Sequence, residues 1–408
     1  MAGLWRIAIR DLRRNKRRSA ATLLAMLLGV GMLVVLAGFM EGMFIQSLQD
    51  NIRVQTSHLQ LRDADYDRKK ASLKWPDLVE DSEEQAARIR SYPMVQDASP
   101  LLWTSAVVGL REESFNVSLT GMDFRSDVNA PFRDGVVAGS LPAPDDREGI
   151  LLGELLAENM DVEVGDSLNL LIPTSGDQPD QANFIIRGLY RSGIPGYDKN
   201  TILMPLEKAQ SITRTDGRAS AILTMLEDRE QSEVLEAELE APGFDIQTWQ
   251  EMNSFMLEYK SISNEIIYIF YVFILAIVAV VIVNTLLMTV LERTREMGIL
   301  AALGMKASQI RLMFLIESGV LAAVGIIFGV LIGSLVVEYL SVHGMNFGDT
   351  ASVINSTEFA VGEVMYAAHS FGQYLVIALV ALVVTLLGSL YPAWVATQKE
   401  PIEALRAL

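Results

Sequence analysis

Cysteine is absent from the 408 residues, histidine occurs three times (His58, His343 and His369), and no Gly-Lys dipeptide exists. The missing cysteine excludes a disulfide scaffold, a thiolate zinc site, a thiol nucleophile and a lipid-acceptor thiol. Three scattered histidines do not make an HExxH-type zinc site, so neither a metal site nor a catalytic residue is expected in this chain. Without Gly-Lys there is no GxxxxGK[ST] phosphate loop, and no cofactor of the chain's own is expected. A net charge of −17 argues against nucleic acid as a partner.

Charge is also missing along whole stretches of chain. Residues 19–40, 266–291 and 374–396 are uncharged runs of 22, 26 and 23 residues, and residues 312–340 are interrupted only by Glu317 and Glu338. A hydrocarbon core of about 30 Å needs about 20 helical residues, so each run is long enough to span a bilayer. Four such helices buried in one soluble domain would be far outside ordinary dimensions.

The remaining charges assign sides. Before the first run stand Arg6, Arg10, Arg13, Arg14, Lys16, Arg17 and Arg18 against Asp11, a net of +6 that holds this end in the cytoplasm. The first apolar run is too long for a signal-peptide core and no small-x-small site closes it, so a retained helix is expected. Residues 41–262 hold 20 Lys and Arg against 39 Asp and Glu, a net of −19, and read as the exported part. The loop 292–311 carries Arg293, Arg295, Lys306 and Arg311, whereas 341–372 carries no Lys or Arg. The expected order is a cytoplasmic basic elbow (1–18), spans at 19–40, 263–291, 312–340 and 373–396, an inner loop (292–311), an outer loop (341–372) and a cytoplasmic tail (397–408). The fold class is a membrane protein with four transmembrane α-helices and a large α+β extracytoplasmic domain between helices 1 and 2.

Within that outer segment the pattern is mixed. A serine ahead of acidic residues starts a helix over 82–90. Residues 101–110 and 114–121 flank a polar Arg-Glu-Glu and read as a β-hairpin. Residues 149–153 read as a buried strand before a helix over 154–159, and 167–172, 183–190, 201–204, 219–226 and 244–248 as further strands. Pro205 suits the first turn of a helix running to about Ile212, and 229–240 reads as another helix. From 251 to 293 no glycine or proline intervenes, so a single helix of about 43 residues, about 64 Å at about 1.5 Å per residue, is expected. Met252, Phe255, Met256 and Tyr259 recur on it at helical spacing. With Met43, Phe44, Ile45 and Leu48 they either line an apolar space above the membrane or pack the two stalk helices together.

Small residues mark close contacts. Gly38 and Gly42 would admit another helix at the outer face. Gly325, Gly329 and Gly333 form a stripe that serves either packing among the chain's own spans or self-association. Glu317, inside a span, handles protons or substrate, orients a neighbouring helix by a hydrogen bond, or reaches headgroups about 9 Å away along the helix.

In the inner loop, Glu292, Arg293, Arg295 and Glu296 precede Met297, Gly298, Ile299, Ala302 and Leu303, and Gly304 closes a short helical pattern. Such a helix either docks its apolar end into a partner's groove or anchors at the membrane face. This stretch resembles the cytoplasmic loop of the FtsX-like permeases, the membrane subunits of ABC systems of the MacB, LolC/LolE and FtsX type. Three further segments resemble the same family: the basic elbow Trp5-Arg6-Ile7-Ala8-Ile9-Arg10-Asp11-Leu12-Arg13-Arg14-Asn15-Lys16, the strand–helix–turn over 149–166, and the closing Tyr391-Pro392-Ala393-Trp394-Val395-Ala396 with 400–406. The FtsX-like region would cover 263–400.

The resemblance implies two permease chains, as a homodimer or a related heterodimer, working with two copies of a separate cytoplasmic ABC ATPase that binds ATP and Mg. The inner helix would couple to that ATPase, with Glu296, Met297, Gly298 and Ile299 at the matching core. Ala301 stands where the family commonly has a basic residue, which removes any ion pair from that position. Length, topology and residues 38–61 resemble the LolC/LolE branch more than MacB, which carries a fused ATPase. The implied function is mechanotransmission in the bacterial inner membrane, extracting or exporting lipoproteins or another lipophilic cargo in contact with membrane lipid. A MacB-like efflux permease with an adaptor and an FtsX-like regulator of a periplasmic wall hydrolase are the alternatives. Bound acylated protein, a cross-linked adaptor, or a recovered hydrolase would separate the three.

Overall fold

A computed structural model of the chain describes residues 16–67, 71–110, 113–143, 146–176, 178–239, 243–346 and 364–398. The described chain divides into a helical unit (up to Ile45, Tyr259–Met345 and from Tyr366 on) and an inserted unit (Gln46–Glu258 and Asn346–Met365).

Four long helices supply the helical unit: α1 (Lys16–Asn51), α9 (Ser254–Glu292), α11 (Ala307–His343) and α12 (Phe371–Val395). Met26, Val30, Leu33, Val34 and Ala37 make the buried stripe of α1, meeting Tyr271, Leu275 and Ile282 of α9 and Ile377 of α12 in one core. Their outward faces stay apolar: Met32, Phe273, Ile277 and Leu375 are all exposed by more than 60%. Apolar faces turned outward over the middle of the helices suit lipid rather than water, and all four are long and apolar enough to cross a bilayer.

The glycine stripe lies inside this bundle. A β-carbon on Gly325, Gly329 or Gly333 would stand 2.7, 2.9 or 2.8 Å from the Cβ of Met26, Val30 or Val34, so the stripe seats α11 against α1 of the same chain. Gly38 and Gly42 admit more than a helix. Val337 of α11 fits over Gly38, whose carbonyl accepts the Ala368 N–H at 2.8 Å, and a side chain at Gly42 would overlap the Tyr366 carbonyl. The close approach expected from a helix is made largely by the irregular segment leading into α12.

The inserted unit is built on a ten-stranded, mostly antiparallel sheet with helices on it. Its strands are β1 (Leu59–Asp63), β2 (Val95–Leu110), β3 (Glu113–Met122), β4 (Val136–Gly139), β5 (Gly149–Gly153), β6 (Ser167–Ile172), β7 (Asp180–Tyr190), β8 (Thr201–Pro205), β9 (Ala221–Leu226) and β10 (Phe244–Thr248). Their order is β10-β1-β9-β2-β3-β8-β5-β7-β4, with β6 paired to β2 and β7. The helices are α2 (Ser82–Arg90), α3 (Ala130–Asp134), α4 (Glu154–Met160), α5 (Pro195–Asp198), α6 (Leu206–Thr213), α7 (Ser232–Leu239) and α8 (Trp249–Met252). Ile89 of α2 and Leu235 of α7 bury against Leu59, Leu61 and Ile222 of the sheet.

Several local readings shift. Ser82 does not cap α2: its hydroxyl donates to the Gly217 carbonyl at 2.8 Å, and the residue before it, Asp81, is left-handed with φ 47°. Pro205 closes β8 against Met122 and precedes α6 instead of entering its first turn. The helix read over 229–240 begins as a tight 3₁₀ turn (Arg229–Gln231), because Asp228 accepts the Glu230 N–H at 3.0 Å. The rod expected from 251 is broken at Asn253 (φ −104°, ψ 16°), which separates the one-turn α8 from α9. From Ser254 the helix then runs unbroken for 39 residues, about 58 Å.

Candidate functional site

The inner-loop helix is α10 (Thr294–Ala302), shorter than the 292–304 reading because Glu292 still belongs to α9 and Arg293 (φ −104°, ψ 12°) steps out of helical geometry. The Thr294 hydroxyl donates to the Val290 and Leu291 carbonyls at 3.1 and 3.0 Å, covering the carbonyls that α9 leaves open at its end. At the other end Gly304 takes φ +93°, a conformation a β-carbon disfavours. Its N–H reaches the Ala301 carbonyl and the Met305 N–H the Leu300 carbonyl, both at 3.0 Å, a closed C-terminal cap. Both ends of the short helix are therefore fixed by local chemistry.

Its two faces differ. Met297 is buried with Val290, Ile310, Met313, Phe314 and Ala393, a small core shared by α9, α10, α11 and α12. Beside this core lies a cleft of about 180 Å³ lined by Val290, Met297, Gly298, Ala301, Ile310 and Val395 among others. Arg293 is buried too, its Nε 3.9 Å from a Glu296 carboxylate oxygen. The opposite face presents Glu292, Arg295, Glu296, Ile299, Ala302 and Leu303, all exposed and spaced by three or four residues, with Leu303 at 80%. Within the ten residues singled out from sequence, Arg293, Met297 and Gly298 face inward and hold the helix, while this stripe is what a partner could touch. It runs from charged at its start to apolar at its end.

The other candidate residues are placed as follows. Lys16 and Arg17 are exposed at the start of α1; Arg10, Arg13 and Arg14, the rest of the elbow, the Arg18 side chain and the closing segment 400–406 lie outside the described residues. Glu317 is 6% exposed, on the α11 face that also buries Phe314, Ser318 and Leu321. In the helical unit, Met43 and Phe44 are half-buried and Ile45 and Tyr259 exposed. The Phe44 ring sits 4.4 Å from the Lys260 Nζ, which also pairs with Glu41 at 2.8 Å, so α1 and α9 are clasped there. In the inserted unit Leu48 and Met256 are buried, Met252 is half-buried and Phe255 is exposed. Leu48 and Met256 therefore serve packing, whereas Phe255, Tyr259 and Ile45 are exposed. Among the described residues no group of three His, Asp or Glu could hold a metal ion.

Sequence reading missed the polar junction where β1 and β10 adjoin the helices. Leu59 pairs with Thr248, and the Trp249 N–H donates to the His58 carbonyl at 3.0 Å. The Thr248 hydroxyl and Glu251 carboxylate make a reciprocal cap on α8, and buried Asn253 follows. The one signal available was an asparagine interrupting an otherwise helical period.

With this geometry in view, comparisons with known proteins cover most of the chain. A model of the MacB-like periplasmic core domain matches residues 19–241, and one of the FtsX-like permease C-terminal region matches 268–401. The chain is 24% identical over 424 residues to the lipoprotein-releasing system transmembrane protein LolC of Xylella fastidiosa, covering 98% of each. It is 22% identical over 393 residues to LolE of the same kind of system from Haemophilus influenzae, covering 93% of this chain and 91% of that one. Among solved structures, the periplasmic region of MacB from Actinobacillus actinomycetemcomitans aligns with 52% of this chain and 97% of its own, at 13% identity and a TM-score of 0.36.

Proposed function

Because the chain belongs to the ABC transporter permeases that join a MacB-like periplasmic core domain to an FtsX-like C-terminal region, we propose that it is a mechanotransmitting subunit serving lipoproteins or another lipophilic envelope cargo. In this reading both termini and α10 face the cytoplasm and the inserted unit faces the periplasm, as the basic elbow and the −19 insert require. A separate ATPase, which brings ATP and Mg, grips the exposed stripe of α10. Two permease chains stand over two ATPase copies. Closure of the ATPases shifts α10, and α9 carries the shift outward.

The observation that carries the reading is α9. It is one unbroken helix of 39 residues, followed after a single residue by the capped α10 and preceded after a single residue by α8 and β10. An unbroken helix resists axial stretching because every turn is hydrogen-bonded to the next. Similarity to LolC and LolE over nearly the full length supports the choice of lipophilic cargo over efflux with an adaptor.

The direct test is on the stripe. Leu303 is 80% exposed, so Leu303→Asp leaves the fold alone while placing a charge where an apolar contact is expected. Gentle purification of the tagged wild-type chain should bring down an ABC ATPase, identifiable by mass spectrometry, and the variant should lose it. Full recovery of the ATPase with Leu303→Asp would contradict the docking assignment.

A further inference from the structure

Two passages of chain meet at one buried amide. Asn253, 1% exposed, stands between α8 and α9. Its side-chain N–H donates to the Trp249 carbonyl at 2.7 Å and toward the Thr56 hydroxyl at 3.4 Å. A carbonyl can only accept, so this bond fixes the amide's orientation and turns its oxygen toward Asn51. Asn51, the last residue of α1, donates its side-chain N–H to that oxygen at 2.6 Å. The incoming helix and the outgoing one are thus joined side chain to side chain at the level where both give way to the sheet.

The backbone around this pair is held with little slack. After Asn51 the chain widens into a π turn (Ile52–Thr56), whose closing bond runs from the Ser57 N–H to the Ile52 carbonyl at 2.7 Å. Ser57 itself adopts φ 54° and ψ −164°, a region almost reserved for glycine, and its hydroxyl donates to the Thr224 carbonyl at 2.8 Å. Such a conformation persists in a serine only where its surroundings over-determine it. Two residues on, β1 begins and pairs with β10 through five residue pairs, Leu59↔Thr248 to Asp63↔Phe244.

From this we propose that Asn51 and Asn253 form a register lock, a positioning pair that makes α1 and α9 move together where they feed β1 and β10; the proposal rests on the mechanotransmission reading and deepens it. Sliding one helix past the other by about two residues is a displacement of about 3 Å. For a bond running across the helix axes that would stretch 2.6 Å to about 4 Å, beyond hydrogen-bonding range. The lock therefore breaks on an axial slip of about two residues. Without it, a pull on α9 alone would shear the β1–β10 ladder at its Leu59–Thr248 end instead of moving the inserted unit as a body. A neutral amide pair suits the task, since it avoids the desolvation cost of a buried ion pair while keeping a single geometry.

The test has two readouts on the full chain in nanodiscs with its ATPase. The first is a double-mutant cycle on unfolding with Asn51→Ala, Asn253→Ala and both together. A lock predicts coupling of about fivefold in the unfolding equilibrium, and additive effects would overturn it. The second is hydrogen exchange across β1 and β10 on addition of ATP. The wild type should respond, and Asn51→Ala, which leaves the other Asn253 bonds in place, should hydrolyse ATP at the normal rate with that response lost. Because the chain has no cysteine, an Asn51→Cys/Asn253→Cys pair can be bridged selectively by a short thiol-specific cross-linker, and it should respond when cross-linked and fail when left open. A response only in the open state would overturn the lock. A wild type that hydrolyses ATP without any exchange change would sink the mechanotransmission reading instead, while the cycle would still decide whether the pair is coupled.

Discussion

His58 is a half-buried imidazole with a defined tautomer. Its Nδ1 accepts the Leu226 N–H at 3.0 Å, which leaves the proton on Nε2 and requires a neutral ring. Burial, and after it the positive charge of Arg229, push its pKa below the ordinary 6.5. The unfolded chain therefore binds the proton more readily than the folded one. The stability His58 contributes is complete above its unfolded pKa and is lost as pH falls through the lower folded value. Hydrogen exchange at the Leu226 amide, corrected for intrinsic pH dependence, should quicken as pH drops from about 7 to about 5, and His58→Gln should flatten the trend. An identical slope in the variant would show that His58 is not responsible. Asp198 leans the other way: burial raises its pKa to about 6 even though both oxygens accept the Ser192 N–H.

At the scale of elements, α11 packs closely on α1 along the glycine stripe. Gly329→Leu would have to displace Val30 and the Leu27 carbonyl, 2.9 and 3.0 Å from the new β-carbon. Overpacking of this kind costs about 1–3 kcal/mol, so the detergent-solubilised variant should melt well below the wild type. Gly388→Ala is a milder comparison, since its nearest neighbour, a Val283 methyl, is 3.2 Å away at a side chain free to turn. The seat of the glycine stripe could not be chosen from sequence, because small residues every four positions serve a neighbour in the chain and a second chain equally well. The strands were legible where burial alternates or is complete, as in 149–153, 167–172 and 201–204. They were illegible where polar residues are buried. Gln60 and Arg62 of β1 are 0% and 6% exposed, the Arg62 guanidinium bonding Gln60 and Gln247, so the outward-facing half of the expected alternation is missing. The start of β2 was hidden by Pro100, a residue that normally argues against a central strand, although β2 lies between β9 and β3. The inner helix was legible from its Gly304 stop. Its division into a buried and an exposed face was not, because Met297 and Leu303 are both apolar and only the packing of α12 and α11 tells them apart.

For the whole molecule the proposed mechanism is a chain of fixed joints: a capped short helix, a single long helix, and an amide lock beneath two paired strands. Each joint is local chemistry, and each can be cut without touching the others. Loss of the α10 stripe should abolish ATPase association. Loss of the lock should preserve association and turnover while silencing the inserted unit. The measurement that bears most directly on the account is a break in the rod itself. A short glycine linker inserted after Ser261, in α9 between the Lys260–Glu41 clasp and the buried Tyr271, leaves both ends of the helix their own contacts. In nanodiscs with the ATPase bound, ATP turnover should continue and the ATP-dependent change in hydrogen exchange across the inserted unit should vanish. An undiminished response in the broken rod would contradict transmission through α9.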